Sequence, residues 1–131
     1  MIKRRKYILI VFAVAVLSAG IFVIFILNKG RALEVKSFDS GDYQYYFDNF
    51  SSEDDVGSIT DAADAIKKAE KIWIEAYGKQ VKKEKPYQVF YDENSGIWLV
   101  QGTLRANSVG GVANFLAEGK TGKVLAVWHE K

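Results

Sequence analysis

Ile59-Thr-Asp-Ala-Ala-Asp-Ala-Ile-Lys-Lys-Ala-Glu-Lys-Ile-Trp-Ile-Glu-Ala-Tyr77 is the stretch on which the fold turns. At about 100° per residue, Ile59, Ala62, Ala63, Ile66, Ala69, Trp73 and Tyr77 gather on one face. Asp61, Asp64, Lys68, Lys71 and Glu75 gather opposite. This period predicts an amphipathic helix of about five turns, packed along one stripe. Ser58 and Asp61 have the spacing of a capping box, acids occupy the first turns, and Gly78 supplies the stop.

Downstream of a basic link over Lys79–Lys85 the period shortens from helix to strand. Pro86 permits a strand start, and Tyr87–Tyr91 is rich in β-formers. Asp92-Glu-Asn-Ser-Gly96 reads as a turn, Ile97–Leu104 as a second strand and Val112–Glu118 as a third. Asn107-Ser-Val-Gly-Gly111 links those two, and Gly119-Lys-Thr-Gly122 turns into a fourth strand, Lys123–His129. Short loops between consecutive strands imply an antiparallel meander. The expected class is α+β, one amphipathic helix laid on an antiparallel β-meander.

Val124-Leu-Ala-Val-Trp128 does not alternate. A strand with one solvated face should, so both faces of the sheet are expected to be covered. The helix can cover only one. Either the aromatic run Tyr43-Gln-Tyr-Tyr-Phe-Asp-Asn-Phe50 folds over the other, or a second protein does. That run fits an edge strand, a short helix or an adhesive loop, and periodicity does not choose among them. Burial is the simpler account of its rings. Contact with a partner is the second, because Tyr and Phe are enriched at interfaces. On the second account Tyr45, Tyr46 and Phe50, with Asp54 and Asp55, are the candidate partner-binding residues.

Upstream, Tyr7–Leu27 carries no charge, and its 21 residues span roughly 31 Å as a helix, matching a hydrocarbon core of about 30 Å. A cleavable signal peptide has a shorter apolar region. Ser18-Ala-Gly20 could imitate a cleavage site, but seven apolar residues follow it. An uncleaved signal anchor in the lipid bilayer is therefore the favoured reading. Lys3, Arg4, Arg5 and Lys6 place the N-terminus in the cytoplasm and the remainder in the periplasm or outside the cell. The expected organisation is a basic tail at 1–6, a membrane anchor at 7–28, a tether and undecided segment at 29–57, and the α+β domain at 58–131.

Charge narrows the partners. The 131 residues carry a net +2, but six of the 18 basic residues flank the apolar run. The remaining 12 face 16 acids, a net of −4 that argues against nucleic acid as a partner. With no cysteine, disulfides, thiolate metal sites and cysteine nucleophiles are excluded.

No catalytic, cofactor-binding or metal-binding set is expected. His129 is the only histidine, and the sequence sets no serine or carboxylate beside it in the manner of a triad. Glu53-Asp54-Asp55 lacks the alternation and turn glycine of a calcium loop, and a solvated acidic loop accounts for it. Gly110-Gly111 lacks the context of a phosphate loop. Glu70 is the one unusual acid: by angle it falls inside the apolar stripe, near Ile59, Ile66, Ile74 and Tyr77. Such a possible buried acid either joins a structural network, the favoured reading, or acts as a pocket acid with a raised pKa.

The order of landmarks carries a resemblance. Ala76-Tyr77-Gly78 leads to Lys85-Pro86-Tyr87-Gln-Val-Phe90, then Gly96-Ile-Trp98-Leu-Val-Gln-Gly102-Thr-Leu104, Gly110-Gly111-Val112 and Gly122-Lys-Val-Leu125. Over residues 58–131 this series resembles bacterial immunity proteins with a nuclear-transport-factor-2-like fold, from polymorphic toxin systems. The resemblance implies a cystatin-like, cone-shaped α+β fold. It also implies a non-enzymatic protein whose partner is a cognate protein toxin encoded nearby, and it assigns no functional residues. A small-ligand-binding or isomerase-like enzyme of the same fold, using Glu70, and a structural envelope domain that modulates another membrane protein are the other two functions the sequence leaves open.

Overall fold

The computed structural model describes residues 33–131. The tail at 1–6 and the apolar run Tyr7–Leu27 lie outside the described residues, and no helix among those described is long and apolar enough to cross a membrane. Along the chain come β1 (Val35–Ser37), a 3₁₀ turn (Ser40–Tyr43), a short helix α1 (Gln44–Asn49) and the long helix α2 (Ala62–Tyr77). A second 3₁₀ segment (Lys79–Glu84) leads to β2 (Gln88–Asp92), β3 (Ile97–Gln101), β4 (Ala113–Glu118) and β5 (Val124–His129). The five strands form one sheet in the order β1-β2-β3-β4-β5. The architecture is α+β, and the antiparallel meander β2–β5 follows the sequence expectation strand for strand.

β1 is an addition that the sequence reading lacked. It pairs parallel to β2, with Val35 opposite Val89, and all three of its residues are exposed. Three exposed residues offer no alternation to read.

Helix α2 begins three residues later than the apolar spacing suggests. Asp61, not Ser58, is the cap: its carboxylate accepts the Asp64 N–H at 2.8 Å, while Asp64 accepts the Thr60 N–H at 3.0 Å. Ile59 stays outside the helix because Asp61, the cap, is fully extended at φ −161° and ψ −179°, and the Ile59 N–H donates instead to Gly119 O at 2.7 Å. The buried stripe is Ala62, Ala65, Ala69, Ile72 and Trp73, so it is rotated from the expected one, and Ala63 is exposed. Trp73 and Phe115 are completely buried, each worth about 2–3 kcal/mol by area. The Trp73 indole N–H donates to Asn114 O at 3.1 Å, so this large ring is satisfied as well as packed.

The other face of the sheet is covered by the chain itself. Phe38, Tyr43, Tyr46 and Phe47 pack against Ile97, Leu99, Leu116, Ala126 and Trp128. Of the three readings of the aromatic run, the short helix is the correct one. An irregularity in β4–β5 pairing at Leu116/Ala117 explains the missing alternation of β5. The extra residue lets Val124 and Val127 pack on the α2 side, while Leu125, Ala126 and Trp128 join the outer cluster.

Residues 50–59 then run along the outer edge of β5. Val127 N–H donates to Phe50 O at 3.1 Å, Val124 N–H to Asp54 O at 3.0 Å, and Val56 N–H to Gly122 O at 2.9 Å. That edge is sealed.

Candidate functional site

Residues 38–59 form a strap across the outer sheet face and down one edge, and the candidate partner residues lie on it. Tyr46 is half-buried and stacks on Trp128, with centroids 4.0 Å apart and planes 14° from parallel. It anchors the strap rather than offering itself to a partner. Tyr45 points the other way: it is 63% exposed and meets Tyr46 edge-on at 5.4 Å. Phe50 is 39% exposed and lies 6.3 Å from Tyr45. Asp54 and Asp55 are exposed at the start of the sealed edge. Asp54 accepts from Ser52 Oγ at 2.9 Å, and Asp55 accepts the Gly57 N–H at 2.8 Å.

The strap has a charge that the whole-chain total hides. Between Lys36 and Lys67 there is no lysine or arginine, and there are eight acids. Among the described residues only Asp64 of these meets a cation at ion-pair distance, Lys68 Nζ at 2.8 Å. Tyr45 and Phe50 thus stand in a negative field.

The strap is tied to the sheet at its beginning by Asp92, which is 5% exposed at the end of β2. Its carboxylate accepts the Ser40 N–H at 2.9 Å and the Asn94 N–H at 2.9 Å, and Ser40 Oγ lies 3.0 Å from Ser95 Oγ. The hydrogen bonds from Ser40, foremost its backbone N–H, hold the Asp92 carboxyl well below the usual carboxylate range. No sequence pattern marked this residue; it looked like an ordinary turn acid.

Glu70 lies on the rim of α2, not inside the stripe, because the stripe is centred on Ala69. The Tyr87 hydroxyl donates to Glu70 Oε2 at 2.7 Å, and Lys85 Nζ lies 3.3 Å from the same oxygen. The Tyr87 hydrogen bond and then Lys85 lower the Glu70 pKa, opposite to the raised value a pocket acid would need. Burial, reinforced by Glu70, pushes the Tyr87 hydroxyl up. This is a structural network.

His129 is engaged too, with Nε2 3.0 Å from Glu84 Oε2 and the Tyr77 ring edge-on at 5.5 Å. Glu84 also accepts the Ala113 N–H at 2.7 Å, fastening the 3₁₀ segment to β4. At the opposite end, an open cleft of about 800 Å³ lies between the turns, lined by Ser58, Thr60, Glu93, Ser95, Trp98 and Lys120 among others. No group of three or more potential metal ligands occurs among the described residues.

Comparison with known proteins gives one finding. The profile of a family described as NTF2 fold immunity protein matches residues 64–131, from the first turn of α2 through β5, and the acid-rich part of the strap precedes the match. No curated protein and no solved structure matches. With just over half its length matched across the helix and the whole meander, this chain belongs to the NTF2 fold immunity protein family.

Proposed function

We propose that this chain neutralises a cognate protein toxin by stoichiometric binding, without chemistry of its own, through the exposed side of the strap. The observation that carries the reading is the placement of Tyr45 and Phe50. Tyr45 stands in solvent and Phe50 shows part of its ring beside it, on a backbone fixed by the Tyr46–Trp128 stack and within thirty residues free of basic side chains. Rigid aromatic anchors cost little entropy to dock, and a rim of acids selects a basic partner surface and speeds its approach. Asp54 and Asp55 extend that rim. The contact surface of the toxin is accordingly basic.

Non-enzymatic action is supported by the network at Glu70, whose carboxylate is committed to Tyr87 and Lys85. A membrane anchor at Tyr7–Leu27, with the N-terminus cytoplasmic and residues 33–131 outside the cytoplasm, completes the reading. Its support is the uncharged 21-residue run and its basic flanks.

The test is a titration of the full chain against the large protein encoded immediately beside it, together with a protection assay. One-to-one binding and survival are expected. Replacing Tyr45 with Ala and both Asp54 and Asp55 with Lys should weaken binding by about tenfold or more while leaving thermal unfolding unchanged. A chain that neither binds nor protects would end the proposal.

A further inference from the structure

A second surface lies where the chain joins the domain. Because β1 runs parallel to β2, Val35 lies opposite Val89, at the end of the sheet where β2 starts and into which the 3₁₀ segment leads. That segment and the residue after it carry Lys79, Lys82, Lys83 and Lys85, all exposed. The β3–β4 loop is fastened to the same place: Thr103 N–H donates to Glu84 O at 2.7 Å, and Arg105 Nε donates to Lys83 O at 3.1 Å. On that loop Leu104 is 46% exposed and Val109 is fully exposed. The acids nearby are largely occupied, Glu84 with Ala113 and His129, and Glu70 with Tyr87 and Lys85. Glu34 and Glu130 are exposed.

We infer that this basic end, with the aliphatic tip of the β3–β4 loop, is a docking surface for anionic phospholipid. The inference rests on the membrane-anchor part of the proposed function. Only five residues separate Leu27, the end of the apolar run, from Leu33, where the described domain begins. Fully extended, the six steps from Leu27 to Leu33 reach about 20 Å, so in this reading the end of the sheet where β1 and β2 start is kept within reach of any bilayer that holds residues 7–27. Clustered lysines attract anionic headgroups over about a Debye length, and exposed Leu and Val at the same end bury apolar area in the interface. An acidic protein segment would complement the lysines equally. The short span from the apolar run favours lipid.

The chain has no cysteine, so a single one reports position cleanly. Full chain carrying Val109→Cys, or Thr121→Cys at the opposite end, is labelled with an environment-sensitive fluorophore. Each is reconstituted into vesicles of phosphatidylcholine with or without phosphatidylglycerol, containing a headgroup-linked quencher. The label at 109 should be quenched in the anionic vesicles and the label at 121 spared. Quenching should be lost with high salt, without phosphatidylglycerol, or when Lys82, Lys83 and Arg105 are changed to Glu. Equal quenching at both positions, no quenching at 109, or quenching indifferent to phosphatidylglycerol would overturn the inference. A shift at 109 driven only by an added acidic polypeptide would reassign the surface to a protein and overturn it as well. Alkaline carbonate extraction of the same vesicles reports on the anchor separately. A chain released by carbonate yet quenched at 109 before release keeps the docking surface and removes the anchor. A chain retained and unquenched does the reverse.

Discussion

Tyr46 and Trp128 lie face to face, 4.0 Å between ring centroids, the tightest of the ring contacts that hold the strap to β5. Tyr43 at 6.3 Å and Phe50 at 6.2 Å flank the same indole. Tyr46→Ala removes the central ring and leaves the Trp128 face uncovered. The expected loss is about 2–4 kcal/mol in urea unfolding, with Tyr46→Phe costing much less. Near-wild-type stability for Tyr46→Ala would show that the strap holds without the stack.

Asp92 makes stability depend on pH. Its folded pKa is depressed below the unfolded value of about 3.9, so its contribution is fully present above that pH. The contribution is lost as pH falls from there through the folded value. Asp92→Asn should therefore lower the melting temperature at neutral pH and narrow the gap to wild type in strong acid. Parallel pH profiles for the two proteins would contradict the assignment.

Glu70 is expected to behave as a structural acid. Glu70→Gln keeps a partner for the Tyr87 hydroxyl and loses the attraction of Lys85, so it should cost no more than about 1 kcal/mol at this partly exposed site. Tyr87→Phe should move the Glu70 carboxyl back up toward its ordinary range, measurable by carbon-detected NMR titration. An unmoved Glu70 would mean that another group sets its pKa.

Gly122 sits at φ 76°, and a Cβ built there would strike the backbone of Gly57. Gly122→Ala combines backbone strain with a clash on the sealing segment and should cost about 2–3 kcal/mol. Amide exchange at Val124 and Val56 should rise first, because their hydrogen bonds flank the contact. Protection lost uniformly instead would place the damage in the global fold.

The parts of the fold legible in the sequence were those with a period. The helix could be read, three residues too long at its start, from Ile59 to Tyr77, and the meander from its alternations and glycine turns. The two-sided apolar character of Val124–Trp128 correctly required a second cover. What escaped was decided by tertiary contacts. Ile59 has helical spacing but spends its N–H on Gly119, and Ala63 turns outward because the stripe centres on Ala69. Glu70 follows from the same rotation. Among the candidate contact residues, spacing could not separate Tyr45 from Tyr46. They are neighbours on α1, and only the position of Trp128 determines which one is buried.

The sealed edge and covered face also set an order of events in biosynthesis. The strap is made early, yet part of its platform is β5, the last strand of the sheet to leave the ribosome. Until Trp128 emerges, Tyr43, Tyr46 and Phe50 lack the indole they pack around, and the β4 edge of the nascent sheet remains unpaired. A chain stalled or clipped before Trp128 would present a sticky intermediate to holdase chaperones and proteases. Quality control of this fold is thus concentrated in β5.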